Sequence, residues 1–400
     1  MEKLNKDLDF SLYSSTLRPL VILMKFTGGI SLRNVFCHHA YDLKPSRGIS
    51  IGTVLLLLLN VFVYYHFGDD IPMPAIVFNL VCSILGCAHF FNCNLTDNTL
   101  LKALVAIEDF DIQLKLNSYY TKTPWKKYKI YCWILILMSL GILRMAKTAY
   151  HRYRANDIDF LAQYLLNILM EILWNIDVNT LYLLICYEIS LRFADMKNVT
   201  MKFKYGMKAR GNCQLMARNL EELRILHGQL CLATKHFYDA FLQRIMLFIL
   251  LRTFIILHHC NVLLFTSNPA KHKKMFLDVS LMLINIYVLT SSTGYFLNEN
   301  RAVMFLVRNM DAEDHCPELR NQIFFYEAEA NYLKKRIFER KTFKLDRDTF
   351  SGIVSLLVTL LIVSIQLPSV VENWASFFDM RFRISGDNYL NSTFSNTTAI

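Results

Sequence analysis

Apolar residues along this chain gather into blocks, each about as long as a helix needs to cross a bilayer. Seven stand out, at 49–67, 72–92, 130–150, 163–187, 241–265, 275–296 and 350–368. A helix rises 1.5 Å per residue, so roughly twenty residues cover a hydrocarbon core about 30 Å thick. The fourth block is interrupted by Glu171 and Asp177, the sixth by Asp278 and Asn285. This pattern predicts an all-α membrane protein with seven transmembrane helices.

Between the blocks the period changes. Leu319, Ile323, Tyr326, Ala330, Leu333 and Ile337 recur at alternating steps of four and three, as do Leu223, Leu226, Leu230, Ala233 and Phe237. Charged residues such as Glu329, Lys334 and Lys335 surround the first stripe. Such spacing predicts helices over 318–346 and 215–241 that leave the membrane and pack on one another in water. The alternative is a pair of amphipathic helices lying on the inner leaflet.

Charge gives the chain a direction. Nine Lys and Arg follow the fourth block and ten follow the sixth, against none after the first and two after the third. By the positive-inside rule the N-terminus is cytoplasmic, and seven crossings put the C-terminus outside. The opening residues MEKLNKDLDF are charged and lack the apolar core of a signal peptide, which fits a retained cytoplasmic start. The tail carries two glycosylation acceptors, Asn391-Ser392-Thr393 and Asn396-Thr397-Thr398, as a lumenal segment can. Two further triplets, at Asn94 and Asn198, stay cytoplasmic and unmodified in this orientation. A G-protein-coupled receptor would run the opposite way.

Composition narrows the chemistry. Hydrophobic residues make up 54 % of the chain and charged ones 19 %, a balance suited to lipid. The net charge of +10 flanks the apolar blocks, so it points to a membrane surface and not to nucleic acid. Ten cysteines show no CxxC pair or zinc spacing, and Cys82, Cys87, Cys132, Cys186 and Cys260 fall in apolar blocks as small hydrophobes. Neither Cys37-His38-His39 nor His258-His259-Cys260 makes a metal cluster alone, because neighbours on a helix point about 100° apart. With no catalytic constellation, phosphate loop or cofactor motif, the chain is expected to be neither an enzyme nor a cofactor protein.

Polar residues inside spans are costly, and each is a candidate site. Glu171 and Arg252 lie at comparable depth in the fourth and fifth spans. They either neutralise one another structurally or border a ligand pocket, with Trp174 one turn from Glu171 as an aromatic wall. Arg144, Tyr164, His258, Asp278 and Asn285 also fall in outer halves of spans. In the last block, Gln366 either meets headgroups or lines a narrow passage, where its amide can replace part of an ion's hydration. Thr359, Ile362, Val363 and Gln366 share one helical face by their spacing.

That last block resembles the signature of insect gustatory receptors, which reads Thr-Tyr, five hydrophobic residues, then Gln-Phe. Thr359 and Gln366 match at the right separation, with Leu361 to Ile365 between them; Leu360 and Leu367 depart from the Tyr and Phe. Leu17-Arg18-Pro19-Leu20 with Gly28-Gly29 is similar to the family's opening segment. Length, span number, orientation and short outer loops extend the likeness over nearly the whole chain, except for the long tail after Pro368. The resemblance implies a homotetramer or heterotetramer around a central pore, gated by a small-molecule tastant, in the plasma membrane of chemosensory dendrites. It implies a cytoplasmic segment over 1–48, a six-helix ligand-binding bundle with cytoplasmic extensions over 49–296 and an anchor-layer helix over 297–349. A pore-lining helix over 350–368 and an extracellular tail over 369–400 complete it. Thr359, Ile362, Val363, Gln366 and Leu367 would line or gate the pore. Insect odorant receptors share this architecture; the Thr359-to-Gln366 pattern favours the gustatory branch. A transporter, the other rival, should show internal repeats or broken helices at midplane, and neither is evident.

Overall fold

Helix is the form the described residues take almost throughout. The computed structural model describes residues 17–27, 30, 32–37, 39–45, 73–116, 179–207, 213–265, 269–310, 316–338, 347–363 and 366. In chain order these give α1 (Arg18–Thr27), β1 (Leu32–Arg33), a 3-10 turn (Ala40–Asp42), β2 (Lys44–Pro45), α2 (Met73–Leu116) and α3 (Tyr182–Met207). Then come α4 (Cys213–Phe265), α5 (Pro269–Arg308), α6 (Pro317–Phe338) and α7 (347–363). The expected spans at 49–67 and 130–150, and 163–178 of the fourth, lie outside the described residues. The all-α class holds, with one small addition: β1 and β2 pair antiparallel, Leu32 opposite Pro45 and Arg33 opposite Lys44. Asn34 starts the return at φ 60°, a left-handed position that asparagine tolerates.

Helix continuity differs from the pattern read above. The expected inner helix at 215–241 and the span at 241–265 form a single unbroken helix, α4, of 53 residues. No glycine or proline falls between Gly228 and Phe265, so nothing in the chain stops the helix over that stretch. α2 likewise runs 44 residues, about 66 Å at 1.5 Å per residue, roughly twice the hydrocarbon thickness. Prolines stand at the first position of α5 (Pro269) and of α6 (Pro317), where a missing N–H costs nothing. Among the described residues, Cys213–Cys260 and Met275–Arg308 are long and apolar enough to cross a membrane.

The chain divides into two compact units, Met1–Leu251 with Asn285–Arg347, and Arg252–Ile284 with Asp348–Ile400. In the larger unit the heptad stripe of α4 is core, and so is that of α6 as far as Ala330; Leu333 is half-buried, and the side chain of Ile337 and residues 339–346 lie outside the described residues. Leu223, Leu226, Leu230, Ala233 and Phe237 are buried, as are Leu319, Ile323, Tyr326 and Ala330. The His227 and Tyr326 rings meet at 5.4 Å between α4 and α6. Arg224 of α4 pairs with Glu329 of α6, and a Cβ on Gly228 would lie 3.0 Å from the same carboxylate. An aromatic stack adjoins this layer: Tyr182 of α3 lies 5.4 Å from Phe237 at 13° between planes, and Phe237 lies 5.0 Å from Phe241.

The segment before β2 is pinned onto α2. Glu108, 3 % exposed, accepts from the Ala40 backbone N–H at 2.7 Å and bonds the His39 Nδ1 at 2.9 Å. Tyr41 donates to Asp109 one residue on. Burying a carboxylate is tolerable only when its oxygens are satisfied, and here both are.

Candidate functional site

The smaller unit gathers the end of α4, the start of α5 and all but the first residue of α7. α7 begins at residue 347, in the unit's neighbour by one residue, and runs to 363, with Gln366 again helical. Its buried side is marked by Leu357, 8 % exposed. On the other side Thr359, Ile362, Val363 and Gln366 are all exposed. These are residues i, i+3, i+4 and i+7, so a single polar-to-apolar stripe runs along one helical face. Thr359 donates its hydroxyl to the Ser355 carbonyl at 2.9 Å, which closes off that polar group within the helix. The stripe therefore presents mainly aliphatic surface, with an amide at its C-terminal end. Leu367, the fifth predicted pore residue, lies outside the described residues.

Of the ligand candidates, Arg252 and Asp278 are both in this unit, 3 % and 5 % exposed. Each is a buried ionisable group on a largely apolar helix, Arg252 on α4 and Asp278 on α5, an otherwise costly setting. His258 is partly buried, and its ring meets His259 edge-on at 6.0 Å. His259 bonds back to the Ile255 carbonyl at 2.9 Å. Asn285 opens the second segment of the larger unit and is half-exposed. Arg144, Tyr164, Glu171 and Trp174 lie outside the described residues, and so do the tail asparagines Asn391 and Asn396.

Sequence reasoning missed three charged networks, all in the larger unit. Arg244, with no exposed surface, donates to Thr96 Oγ1 at 2.9 Å, the Cys93 carbonyl at 3.0 Å and Asp97 Oδ1 at 3.1 Å. Its guanidinium also sits 5.3 Å over the Phe241 ring. Arg192 joins Glu188, one turn earlier on α3, to Asp111 of α2. Lys197 reaches Glu299 of α5 at 3.0 Å. The available signal for the first was an arginine three residues inside an apolar block; only Arg252, deeper in, was singled out. The other miss is a disulfide between Cys213 and Cys316, 103 residues apart.

No protein-family model matches the sequence, and no curated protein matches it. Solved structures do match in fold. One is an olfactory receptor of the insect Machilis hrabei, solved in complex with eugenol. It is 11 % identical, with 88 % of this chain and 97 % of that chain covered at a TM-score of 0.60. This chain has the fold of an insect olfactory receptor.

Proposed function

We propose that the chain is a subunit of a chemoreceptor channel of the gustatory type, which opens a non-selective cation pore when a small molecule binds. The observation that carries this reading is the exposed stripe of Thr359, Ile362, Val363 and Gln366 on the last helix of an insect-receptor fold. Four such stripes around an axis make a tetrameric pore. A ring of Ile and Val closes it by dewetting, and a Gln ring at its outer end offers amide oxygens to a partly dehydrated cation. In this reading seven helices cross the plasma membrane with the N-terminus inside. Arg252, His258 and Asp278 then border the ligand cavity of each subunit, together with Arg144, Tyr164, Glu171, Trp174 and Asn285. The structural neighbour was solved with eugenol, which supports a small organic ligand.

An olfactory assignment is the second reading, favoured by the neighbour itself; the Thr359 and Gln366 spacing supports the gustatory one. The test is membrane current in cells expressing the full chain, screened with bitter compounds, sugars and volatile odorants, with Gln366→Ala beside wild type. A ligand-evoked cation current whose ion permeability shifts in the variant supports the pore. A response abolished by blocking G proteins sinks it, and the class of active compound separates taste from smell.

A further inference from the structure

We propose that Cys213 and Cys316 form a reversible thiol–disulfide site whose oxidant is a small disulfide of the glutathione class. The two sulfurs are bonded across two helices that pack side by side, with Cα atoms 6.3 Å apart. Cys213 is the first residue of α4, and Cys316 caps α6, its carbonyl accepting from the Arg320 N–H at 3.1 Å. Both thiols thus stand at helix N-termini, where the dipole favours thiolate, the form that attacks a disulfide. Both residues are partly exposed, so a small reagent can reach them. Other contacts tie the same two helices together beyond the bridge and do not involve its sulfurs. Arg224 pairs with Glu329, His227 stacks with Tyr326, and the hydrophobic stripes of α4 and α6 are buried. The two cysteines therefore stay neighbours when reduced.

This inference rests on the orientation in the proposed function, which puts both cysteines on the cytoplasmic side. Glutathione keeps thiols reduced there, and a disulfide that forms in that compartment is characteristically transient and redox-sensing. The chemistry balances as two exchanges. The thiolate of one cysteine attacks a sulfur of oxidised glutathione, forming a mixed disulfide and releasing one glutathione thiolate. The second cysteine's thiolate attacks the protein sulfur of that mixed disulfide and releases the other. Two electrons pass from the cysteine pair to oxidised glutathione, giving two reduced glutathiones, and excess reduced glutathione runs the sequence backwards.

The test uses the full chain in permeabilised cells incubated with reduced or oxidised glutathione. Free thiols are then blocked with N-ethylmaleimide, and the tryptic peptides 211–218 and 309–320 are read by mass spectrometry. After reduced glutathione both peptides should carry maleimide. After oxidised glutathione the maleimide should be lost and the two peptides joined, reversibly. In Cys213→Ser the mixed disulfide has no second thiol to resolve it, so Cys316 should accumulate a glutathione adduct absent from wild type. A joined pair that survives reduced glutathione, or free thiols after oxidised glutathione, overturns the site. Labelling of both cysteines in intact cells by a membrane-impermeant maleimide would overturn the cytoplasmic placement itself. The current recording above judges the channel reading separately.

Discussion

Breaking the Arg244–Asp97 pair should cost far more than removing it. Both side chains are almost wholly buried, Arg244 at 0 % and Asp97 at 2 % exposure, and they meet at 3.1 Å. Asp97→Ala takes a carboxylate away from the buried guanidinium, and the bonds to Thr96 and the Cys93 carbonyl are to neutral acceptors that do not replace its charge. Arg244→Met removes the cation that the buried carboxylate meets at 3.1 Å. Each single change should cost about 3–5 kcal/mol, the usual penalty for an uncompensated buried ion. The double change Arg244→Met with Asp97→Leu removes both desolvation penalties and should lie near wild type. At roughly 2.1 cal/mol/K of unfolding entropy per residue, a chain of 400 residues loses about 4–6 °C of Tm for each single change. Melting of the detergent-solubilised full chain, followed by fluorescence-detected size exclusion, reads both terms in one series. Single variants within about 1 °C of wild type would refute the pair's energetic role. A double variant that falls by the sum of the singles would refute the coupling.

Two further outcomes follow from the core of the larger unit. Phe237 is fully buried against Tyr182 and Phe241, so Phe237→Ala should cost about 3–5 kcal/mol, seen as lower yield and Tm while Leu232→Ala, on an exposed face, changes little. Burial pushes the His227 imidazole down to about 4, with Asn300 opposing that shift through a 2.7 Å bond to Nε2. The folded state therefore holds this ring neutral while the unfolded chain, near pH 6.5, takes up the proton. Its stability contribution is intact above about pH 6.5 and is lost as pH falls towards 4, by about 3 kcal/mol in full. In Tm measured against pH, His227→Gln should flatten that acid limb; an unchanged limb would assign the loss to other groups.

The parts of the fold that follow from periodicity were legible in the sequence. The stripes at 223–237 and 319–330 are buried as their steps of four and three require, because a 3.6-residue period fixes which face meets a partner. The outward stripe at Thr359, Ile362, Val363 and Gln366 is readable for the same reason. Helix length was not, since a span and its aqueous extension share one hydrogen-bond pattern; only a breaker would have marked the join, and α4 has none there. Long-range pairs were least legible. Nothing local links His39 to Glu108, Arg244 to Asp97 or Cys213 to Cys316, and each pair becomes visible only when helices are set side by side. Arg252 and Arg244 also show how little a lone charge in an apolar block says about its partner.

The unbroken course of α4 makes its residue count a specification. One residue inserted between Phe237 and Arg244 would turn everything beyond it by about 100° and slide it 1.5 Å. Phe237 and the stripe before it would then be out of phase with Arg244, which could not face Asp97 while the stripe kept its hold on α6. A conservative replacement at most of these positions asks only for similar size and polarity. Insertions and deletions should therefore be confined to the joins between helices, while identities within them are free to drift. This is a form of evolvability: side chains are rewritten and the gearing between helices stays in step.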